Sequence, residues 1–523
     1  MPSRSTVPTK PAREVELKLH VAPRDLERIA ALLAVLEAAE GPATDERLRT
    51  VYFDTPDLRL FGKGVALRVR RTAGGFVQTV KTVNDAPPGD SAGVAVRREW
   101  EWPVAGESPD LSMLEAQGIA GLVPADARER LVPLFFTDVR RRAILVRPDA
   151  RTVIEIALDR GEIVAGARRI PISEIELELK SGRVGSLFEL ALRLQGAVPM
   201  RISTDSKAEV GYRLVTGRPP GPVPPEPLGL TPVTTVAEAF RHIVRHGVRQ
   251  ILANESCALA EGGVEGRRQI SIALRRLRTT VTLFAPVVAM PEPKRLRDEL
   301  RWFARQLAPT RDWDVLLATT LASYGGTGAA VEGLPALTDA ALEARRDPLR
   351  KAVAIIEAPR PTRLLLALGA WLEDGRWYSE ADPVTRALLD RPMADLAGGW
   401  LAVRLSKARK AGRKGPDGLD EVGRRKLCRH LRKLGHATDF FRGLYPPATT
   451  QAFVGALTEL LDALDAEHDA TVSRERLREL SHEDAHHRPA AAAVLRWLDK
   501  QDARRRKALP GMWAAFREMP GFW

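Results

Sequence analysis

The stretch Glu14-Val15-Glu16-Leu17-Lys18 sets two carboxylates and an ammonium at alternate positions of a segment that reads as a β-strand. Successive strand side chains point to opposite faces. Glu14, Glu16, Lys18 and His20 therefore share one face, and Val15, Leu17, Leu19 and Val21 share the other, which is apolar enough to pack on a core. A half-exposed antiparallel strand with one solvated face gives the same pattern. Further along, residues 173–180 (SEIELELK) repeat it, with Glu174, Glu176, Glu178 and Lys180 on one face and Ile175, Leu177 and Leu179 on the other. Between the two lie segments of opposite charge at the same period: Arg68 and Arg70 in ALRVRR, and Lys81 in QTVKT. Acidic and basic ladders alternate along one stretch of chain.

At 523 residues, more than one domain is expected, since single cores stop growing near about 250 to 300 residues. The 44% hydrophobic fraction is that of a folded globular protein. Cys257 and Cys428 form no C-x-x-C motif and no disulfide framework, which fits a reducing compartment. The first ten residues have no apolar leader-like run, and no stretch approaches the roughly 18 apolar residues that cross a bilayer, so a cytoplasmic setting without membrane partners is expected. The net charge of +13 is uneven: residues 1–218 carry 33 Lys+Arg against 30 Asp+Glu, and the remainder 47 against 37.

Residues 217–232, GRPPGPVPPEPLGLTP, hold seven prolines and nothing large to bury, and read as a linker. Before it, short β-rich segments are interrupted by helical patterns near 23–40 and 184–195. After it, apolar residues recur at three- and four-residue intervals in 236–253, 267–284, 294–307 and 424–441. A β-rich domain followed by an all-α domain is expected. The helical half repeats itself: LRRLRTTVTLF from Leu274 resembles LRKLGHATDFF from Leu431, an offset of 157 that also places Arg268 on Arg425, Leu307 on Leu464 and Asp312 on Asp469. Two related helical units are predicted to pack together. Each unit carries basic helical neighbours, Arg268, Arg275, Arg276 and Arg278 in one and Arg425, Arg429, Arg432 and Lys433 in the other. Residues 404–433 contain twelve Lys+Arg against three Asp+Glu. Such density suits a polyanion. These helices interleave mostly with Leu, Ala and Thr, and no zinc-finger spacing occurs, so nucleic acid is not the expected partner and phosphate chains without bases fit at least as well.

In the first half, Arg and Lys suit phosphate oxygens. Carboxylates on the same surface need an intervening cation, and hard oxygen ligands suit Mg²⁺ or Mn²⁺. The combination points to in-line phosphoryl transfer to water. No Walker A loop is present, and Gly74 and Gly75 read as the hairpin turn between LRVRR and VQTVK. Asp54 and Asp57 in YFDTPD read as turn-forming residues. Trp100 and Trp102 are expected to pack outside the charged surface.

The ExExK run at 14–18 resembles the signature of the CYTH superfamily, the triphosphate tunnel metalloenzymes. The resemblance covers about residues 10–215 and includes YFDTPDLRL at 52–60, LRVR at 67–70, TVK ending at Lys81, REWE at 98–101, ALDRG at 157–161, ELELK at 176–180 and SKAEVGY at 206–212. It implies a closed antiparallel tunnel of eight strands that binds triphosphate and divalent metal, of the inorganic triphosphatase type. Carried over motif by motif, Glu14, Glu16, Glu176 and Glu178 are the implied metal-side carboxylates, and Lys18, Arg68, Arg70, Lys81, Arg141 and Lys207 the implied phosphate path. The Arg140–Arg142 run leaves the register of Arg141 open. Glu14, Glu16, Lys18 and Asp159 are the implied catalytic group, with Glu99 and Glu101 as further tunnel acids.

Residues 233–515 resemble a CHAD domain, through ALRRLRTTVTLF at 273–284, TRDWDVLL at 310–317 and LLDALDAEHDA at 460–470. That family is associated with inorganic polyphosphate and often follows a tunnel domain of this type. The chain departs from it where the family has its histidines: Arg268 and Arg425 stand there, with Ser271 and Cys428 at neighbouring equivalent positions. Arginine keeps charge and binds phosphate, but removes any pH-dependent or metal-binding role. His242 and His246 lie one turn apart without a third ligand. The reading is thus a metal-dependent enzyme hydrolysing inorganic triphosphate, with residues 216–232 as linker and a helical half that binds polyphosphate or docks on polyphosphate granules. A pure polyphosphate binder, or a tunnel acting on thiamine triphosphate or nucleoside triphosphates, is the alternative. No protein partner is inferable.

Overall fold

The computed structural model describes residues 12–34, 39–82, 93–328 and 331–523. They form two compact units, Met1–Gly221 with Glu357–Trp377, and Pro222–Ile356 with Tyr378–Trp523.

The first unit is built on nine strands: β1 (Ala12–Val21), β2 (Ala39–Asp54), β3 (Val65–Thr72), β4 (Gly75–Thr82), β5 (Ala95–Val104), β6 (Val132–Asp149), β7 (Thr152–Ala165), β8 (Arg168–Ser181) and β9 (Met200–Ser203). Their order is β5-β4-β3-β2-β6-β7-β8-β1-β9, and β1 also pairs with β5, from Ala12↔Glu99 to Glu16↔Ala95. That pairing closes eight antiparallel strands into a barrel, with β9 attached to β1 outside the ring.

Closure explains the double alternation. Leu17 and Leu19 are fully buried on the outer face of β1, yet Glu16 and Lys18 on the opposite face are only 5% and 7% exposed. The charged face is therefore enclosed, and the solvated-strand reading fails. Gly75, at φ +123, begins β4 directly after the two-residue connection from Thr72, as the glycine pair predicts. Trp100 and Trp102 lie in an apolar cluster with Leu67, Val69, Val80 and Leu114. Asp54 is fully buried and accepts from the backbone N–H of Thr55, Leu60 and Phe61, so it caps the turn into Arg59–Gly62. Asp57 is exposed and ion-paired to Arg130 at 2.9 Å.

Helices α1 (Pro23–Ala34), α2 (Gly185–Gln195) and α3 (Lys207–Thr216) complete the chain segment before the linker. α3 starts with a capping box between Ser206 and Glu209, which fixes where Lys207 leaves the backbone. Its Gly211 lies against the Phe135 ring, which stacks on Tyr52; a Cβ there would come within 2.0 Å of Phe135. Gly211→Ala is expected to cost about 1–3 kcal/mol in a thermal unfolding measurement, because the crowded neighbour is an aromatic ring in a packed cluster. The helix Pro359–Asp374 packs on α2 in the same unit: Gly369 meets Phe188, and Arg183 pairs with Asp374 at 2.6 Å.

The second unit is helical among its described residues, with α4 (Val236–Ala253), α5 (Val264–Phe284), α6 (Pro293–Asp314), α7 (Ala394–Ala411), α8 (Glu421–Phe441), α9 (Pro447–Glu483) and α10 (Arg488–Glu518) as the principal elements. α5 and α8 have bounds separated by the repeat offset at both ends. Equivalent residues meet: Thr279 Oγ1 lies 3.1 Å from His436 Nδ1, 157 positions later. Two equivalent positions touch where related elements face each other across a local twofold.

The proline-rich stretch departs from expectation. Leu228 and Leu230 are buried, Asn254 binds Val223 through both its amide atoms at 2.8 and 2.9 Å, and Glu226 pairs with Arg249. A segment expected to have nothing large to bury is anchored by two leucines. No helix among the described residues is long and apolar enough to cross a membrane.

Candidate active site

Inside the barrel is a cavity of about 620 Å³. Strand alternation sends Glu14, Glu16 and Lys18 from β1, Arg68 and Arg70 from β3, Lys81 from β4, Glu99 and Glu101 from β5, Arg141 from β6, Asp159 from β7, and Glu176 and Glu178 from β8 into it. Lys207 enters from the first turn of α3.

One group of charges is self-contained. Asp159, fully buried, accepts from Arg141 Nε and Nη2 at 2.8 and 2.7 Å and from the Lys207 ammonium at 2.6 Å. Lys207 also binds Glu174, and Glu176 at 2.8 Å, while Lys18 lies 3.1 Å from Glu176 and 3.4 Å from Glu174. Arg141 reaches Glu176 as well. Burial alone disfavours every charge here, but the partners win. Lys207, Lys18 and Arg141 are held above their ordinary values by these carboxylates, and Glu176 and Asp159 are held below theirs by the cations.

Two places in the cavity are not balanced. Glu16 stands directly across from Glu178 in the β1–β8 register; Glu178 in turn faces Glu155 across β7–β8, but Lys180 pairs with those two at 2.7 and 3.5 Å, which leaves Glu16 as the unbalanced acid. Like charges opposite each other oppose pairing. Burial, then Glu176 and Glu14, push the Glu16 carboxyl up to about 7 despite Lys18 at 3.7 Å, and its Oε1 is buried without a hydrogen-bond partner. The second imbalance has the opposite sign. Arg70 is pushed down to about 10 by Arg68, burial and Arg141, and the Nε atoms of Arg68 and Arg70 are buried without partners. Arg68 has Glu99 at 3.0 Å, but Arg70 makes no ion pair among the described residues.

The Glu16 imbalance gives a measurable pH dependence in metal-free protein. Folding raises its pKa from 4.5 to about 7, so the native state keeps a proton that the unfolded chain releases. The contribution of Glu16 to stability therefore falls as pH rises from about 4.5 to 7, by up to about 3 kcal/mol. Asp159 and Glu176, held low, act only below their unfolded values and leave that window alone. Urea unfolding in EDTA between pH 5 and 7.5 should show the decline as a falling difference in stability, wild type minus Glu16→Gln, because the opposite slope from the buried histidines His246 and His436, held low, is common to both proteins and cancels.

In the second unit the basic residues fall into two sets. Arg276 is buried, 3.2 Å from Asp439 and over the Phe440 ring at 5.0 Å; Arg432 is tied to Asp465. Arg268 and Arg425 are exposed and paired within their own helices to Glu265 and Glu421. Arg275, half-buried, is pushed down to about 10 by burial, Arg311 and Arg432. The other set repels itself. Lys433 is lowered by burial and by Arg404, Arg278, Arg429 and Lys407, and Arg278 by burial, Arg301 and Arg305. Arg404, buried and lowered by burial, projects from α7 with Lys407.

A CYTH domain model matches residues 12–212, and a CHAD domain model matches residues 242–478 and 430–518. The chain joins a CYTH domain to a CHAD domain. It is similar to an inorganic triphosphatase of Haemophilus influenzae, 34% identical over 208 residues, a match covering 39% of this chain and 55% of the relative. The match thus spans about half the length of that curated relative. Among solved structures, the CHAD domain of Ricinus communis is 26% identical at a TM-score of 0.49, covering 57% of this chain and 98% of that one. HpAC1 of Hippeastrum, described as a putative adenylyl cyclase with a dominant triphosphatase activity, is 20% identical at a TM-score of 0.28, covering 39% and 96%.

Within the CYTH barrel, all the residues expected in the tunnel line it, and the open register of Arg141 resolves with Arg141 inward. Glu176, expected on the metal side, contacts Lys207, Lys18 and Arg141. The described residues hold one geometric cluster of potential metal-binding carboxylates, Asp159, Glu174 and Glu176, and Lys207 contacts all three. His246 is buried, lowered to about 4, and belongs to no such cluster among the described residues. Arg97 was missed: 8% exposed, it lines the tunnel two residues before Glu99. The alternation of β5 could have revealed it, but the adjacent Arg98 obscured the register. Tyr52 lines the cavity too; Arg68 and Lys207 hold its phenol below the ordinary value against burial. In the CHAD domain, Arg404 and Lys407 fall within the basic 404–433 stretch but outside the residues the repeat offset singles out in α5 and α8, because they come from α7.

Proposed function

We propose that the CYTH tunnel hydrolyses inorganic triphosphate in a divalent-metal-dependent reaction. The observation that carries this reading is the paired imbalance: one enclosed cavity leaves Glu16 short of a cation and Arg70 short of an anion. A metal–phosphate ligand supplies both at once. The donor set fits Mg²⁺ or Mn²⁺, since the orphaned Glu16 Oε1 and the opposed Glu178 are hard carboxylate oxygens. Glu14, Glu16 and Glu178 would hold the ion, which when bound neutralises phosphate charge and acidifies water.

The chain's own groups do the rest. Arg68, Arg70, Lys81, Arg97 and Arg141 line the cavity as the path that orients phosphate oxygens and stabilises the charge that spreads during transfer. Lys18 and Lys207 stay protonated at neutral pH under their carboxylates and present fixed positive charge. Asp159 has its carboxylate committed to Arg141 and Lys207, so it acts as a positioning residue for those cations. Glu16, Lys18 and Asp159 are buried in the barrel wall, where the lower dielectric strengthens their interactions.

The CHAD domain, in this reading, binds inorganic polyphosphate on the face formed by Arg278, Arg404, Lys407, Arg429 and Lys433, and this binding places the protein at cytoplasmic polyphosphate granules. The functional boundaries are 10–215 for the tunnel, 216–232 for the linker and 233–515 for the helical domain. The test is phosphate release by the full chain from tripolyphosphate, ATP, thiamine triphosphate and long-chain polyphosphate, with Mg²⁺, Mn²⁺ or EDTA. Tripolyphosphate should give the highest kcat/KM, and a preference for either organic triphosphate would reassign the substrate.

A further inference from the structure

The run Arg140-Arg141-Arg142 is only one-third used by the tunnel. Arg141 points inward, so Arg140 and Arg142 point outward from β6, and both are exposed. The neighbouring strands continue the charge. In the antiparallel register, Arg47 of β2 faces Arg140, Arg140 faces Arg160 of β7, and Arg49 of β2 faces Arg71 of β3. All six arginines are exposed.

Opposite charges across strands stabilise a solvated sheet and like charges destabilise it. Here three cross-strand pairs are Arg–Arg. Some acid is present: Asp138 takes Arg47 at 2.9 and 2.7 Å and also lies beside Arg49 and Arg140, Asp45 faces Arg142, and Glu27 lies 3.4 Å from Arg160. A fourth, Glu162 across from Asp138, is taken by Arg169 at 2.6 Å, which leaves three carboxylates to serve the six guanidinium groups. Exposed pairs of this kind contribute little and are readily exchanged for a better anion.

We infer that the outer wall of the barrel, across β3, β2, β6 and β7, is a docking surface for a linear phosphate polymer, inorganic polyphosphate. The backbone positions that carry these arginines lie about 4.8 Å apart across strands and about 6.8 Å apart along them, and their guanidinium groups supply phosphate forks over that grid. Single-stranded nucleic acid is the poorer fit, because base stacking needs an open aromatic face. The ring on this wall, Phe136, already carries the Arg49 guanidinium at 4.9 Å. The identity of the polymer rests on the polyphosphate reading above, whereas the anionic docking rests on the wall itself.

The test uses the full chain carrying Arg49→Gln, Arg140→Gln, Arg142→Gln and Arg160→Gln, beside a CHAD variant, Arg404→Gln/Lys407→Gln/Lys433→Gln. Affinities for long-chain polyphosphate and for polyadenylate of matched charge are measured over a salt series. The wall variant should bind polyphosphate about tenfold more weakly at low salt, and its log–log salt slope should fall by roughly two to three. Tripolyphosphate turnover should stay within about twofold, and the melting temperature should hold or rise as like-charge pairs are removed. An unchanged affinity and slope would overturn the inference. So would a preference for polyadenylate that the variant abolishes, since the wall would then serve nucleic acid. Absence of tripolyphosphate turnover in the parent protein would count against the hydrolase reading and leave the binding comparison intact.

Discussion

Alanine at both Glu14 and Glu16 is expected to lower metal-dependent kcat/KM for tripolyphosphate by roughly a thousandfold or more, equivalent to about 4 kcal/mol of transition-state stabilisation. The magnitude follows from where these carboxylates stand. Glu16 has its Oε1 buried without a hydrogen-bond partner, faces Glu178, and is raised to about 7. An uncompensated buried carboxylate is costly, so its retention is explained by what it binds. The same argument separates lost chemistry from lost structure. Removing Glu16 relieves repulsion, and removing Glu14 leaves Lys81 with Glu99 at 3.5 Å, so the melting temperature in EDTA should hold or rise. Phosphate release and thermal unfolding on the same preparation check both halves. A variant that retains more than about a tenth of wild-type activity would show that these carboxylates do not hold the reactive cation.

The second large effect is expected in the CHAD domain. Substituting Arg404, Lys407 and Lys433 by glutamine should weaken binding of long-chain polyphosphate by about a hundredfold at low ionic strength, with the difference shrinking as salt rises. These cations lie among one another, and their mutual repulsion is relieved when an anion binds. Arg276 makes the contrast. It is buried against Asp439 and Phe440, so Arg276→Ala should cost about 1–3 kcal/mol of stability and change polyphosphate affinity far less. Polyphosphate titrations at two salt concentrations, together with unfolding curves, distinguish the two classes. Equal losses of affinity in both variants would mean that the basic helices act as a diffuse field.

The sequence was most informative where chemistry and period coincide. Residues 14–18 and 173–180 carry charge at alternate positions, which made the strand faces readable, and the 157-residue offset located helices α5 and α8 with matching ends. What alternation could not show is closure. Whether the charged face of β1 meets solvent or an interior depends on β1 pairing with both β5 and β8, partners far apart in the chain. Partner choice inside the tunnel was equally hidden. Glu176 and Glu178 look alike in ELELK, yet Glu176 lies within reach of Lys207 from α3, and Glu178 does not lie among those cations. Only the capped start of α3, 30 residues further on, decides this. The linker misled for a related reason: its seven prolines dominate the composition, while Leu228 and Leu230 find pockets that composition does not reveal.

The proposed hydrolysis needs a divalent cation and a triphosphate together in one cavity. It is tested most directly by following tripolyphosphate with the full chain by ³¹P NMR, in Mg²⁺ and in EDTA. Steady conversion to orthophosphate and pyrophosphate is expected in Mg²⁺, and none in EDTA. Tripolyphosphate left intact in Mg²⁺ and in Mn²⁺, or consumed equally in EDTA, would contradict it.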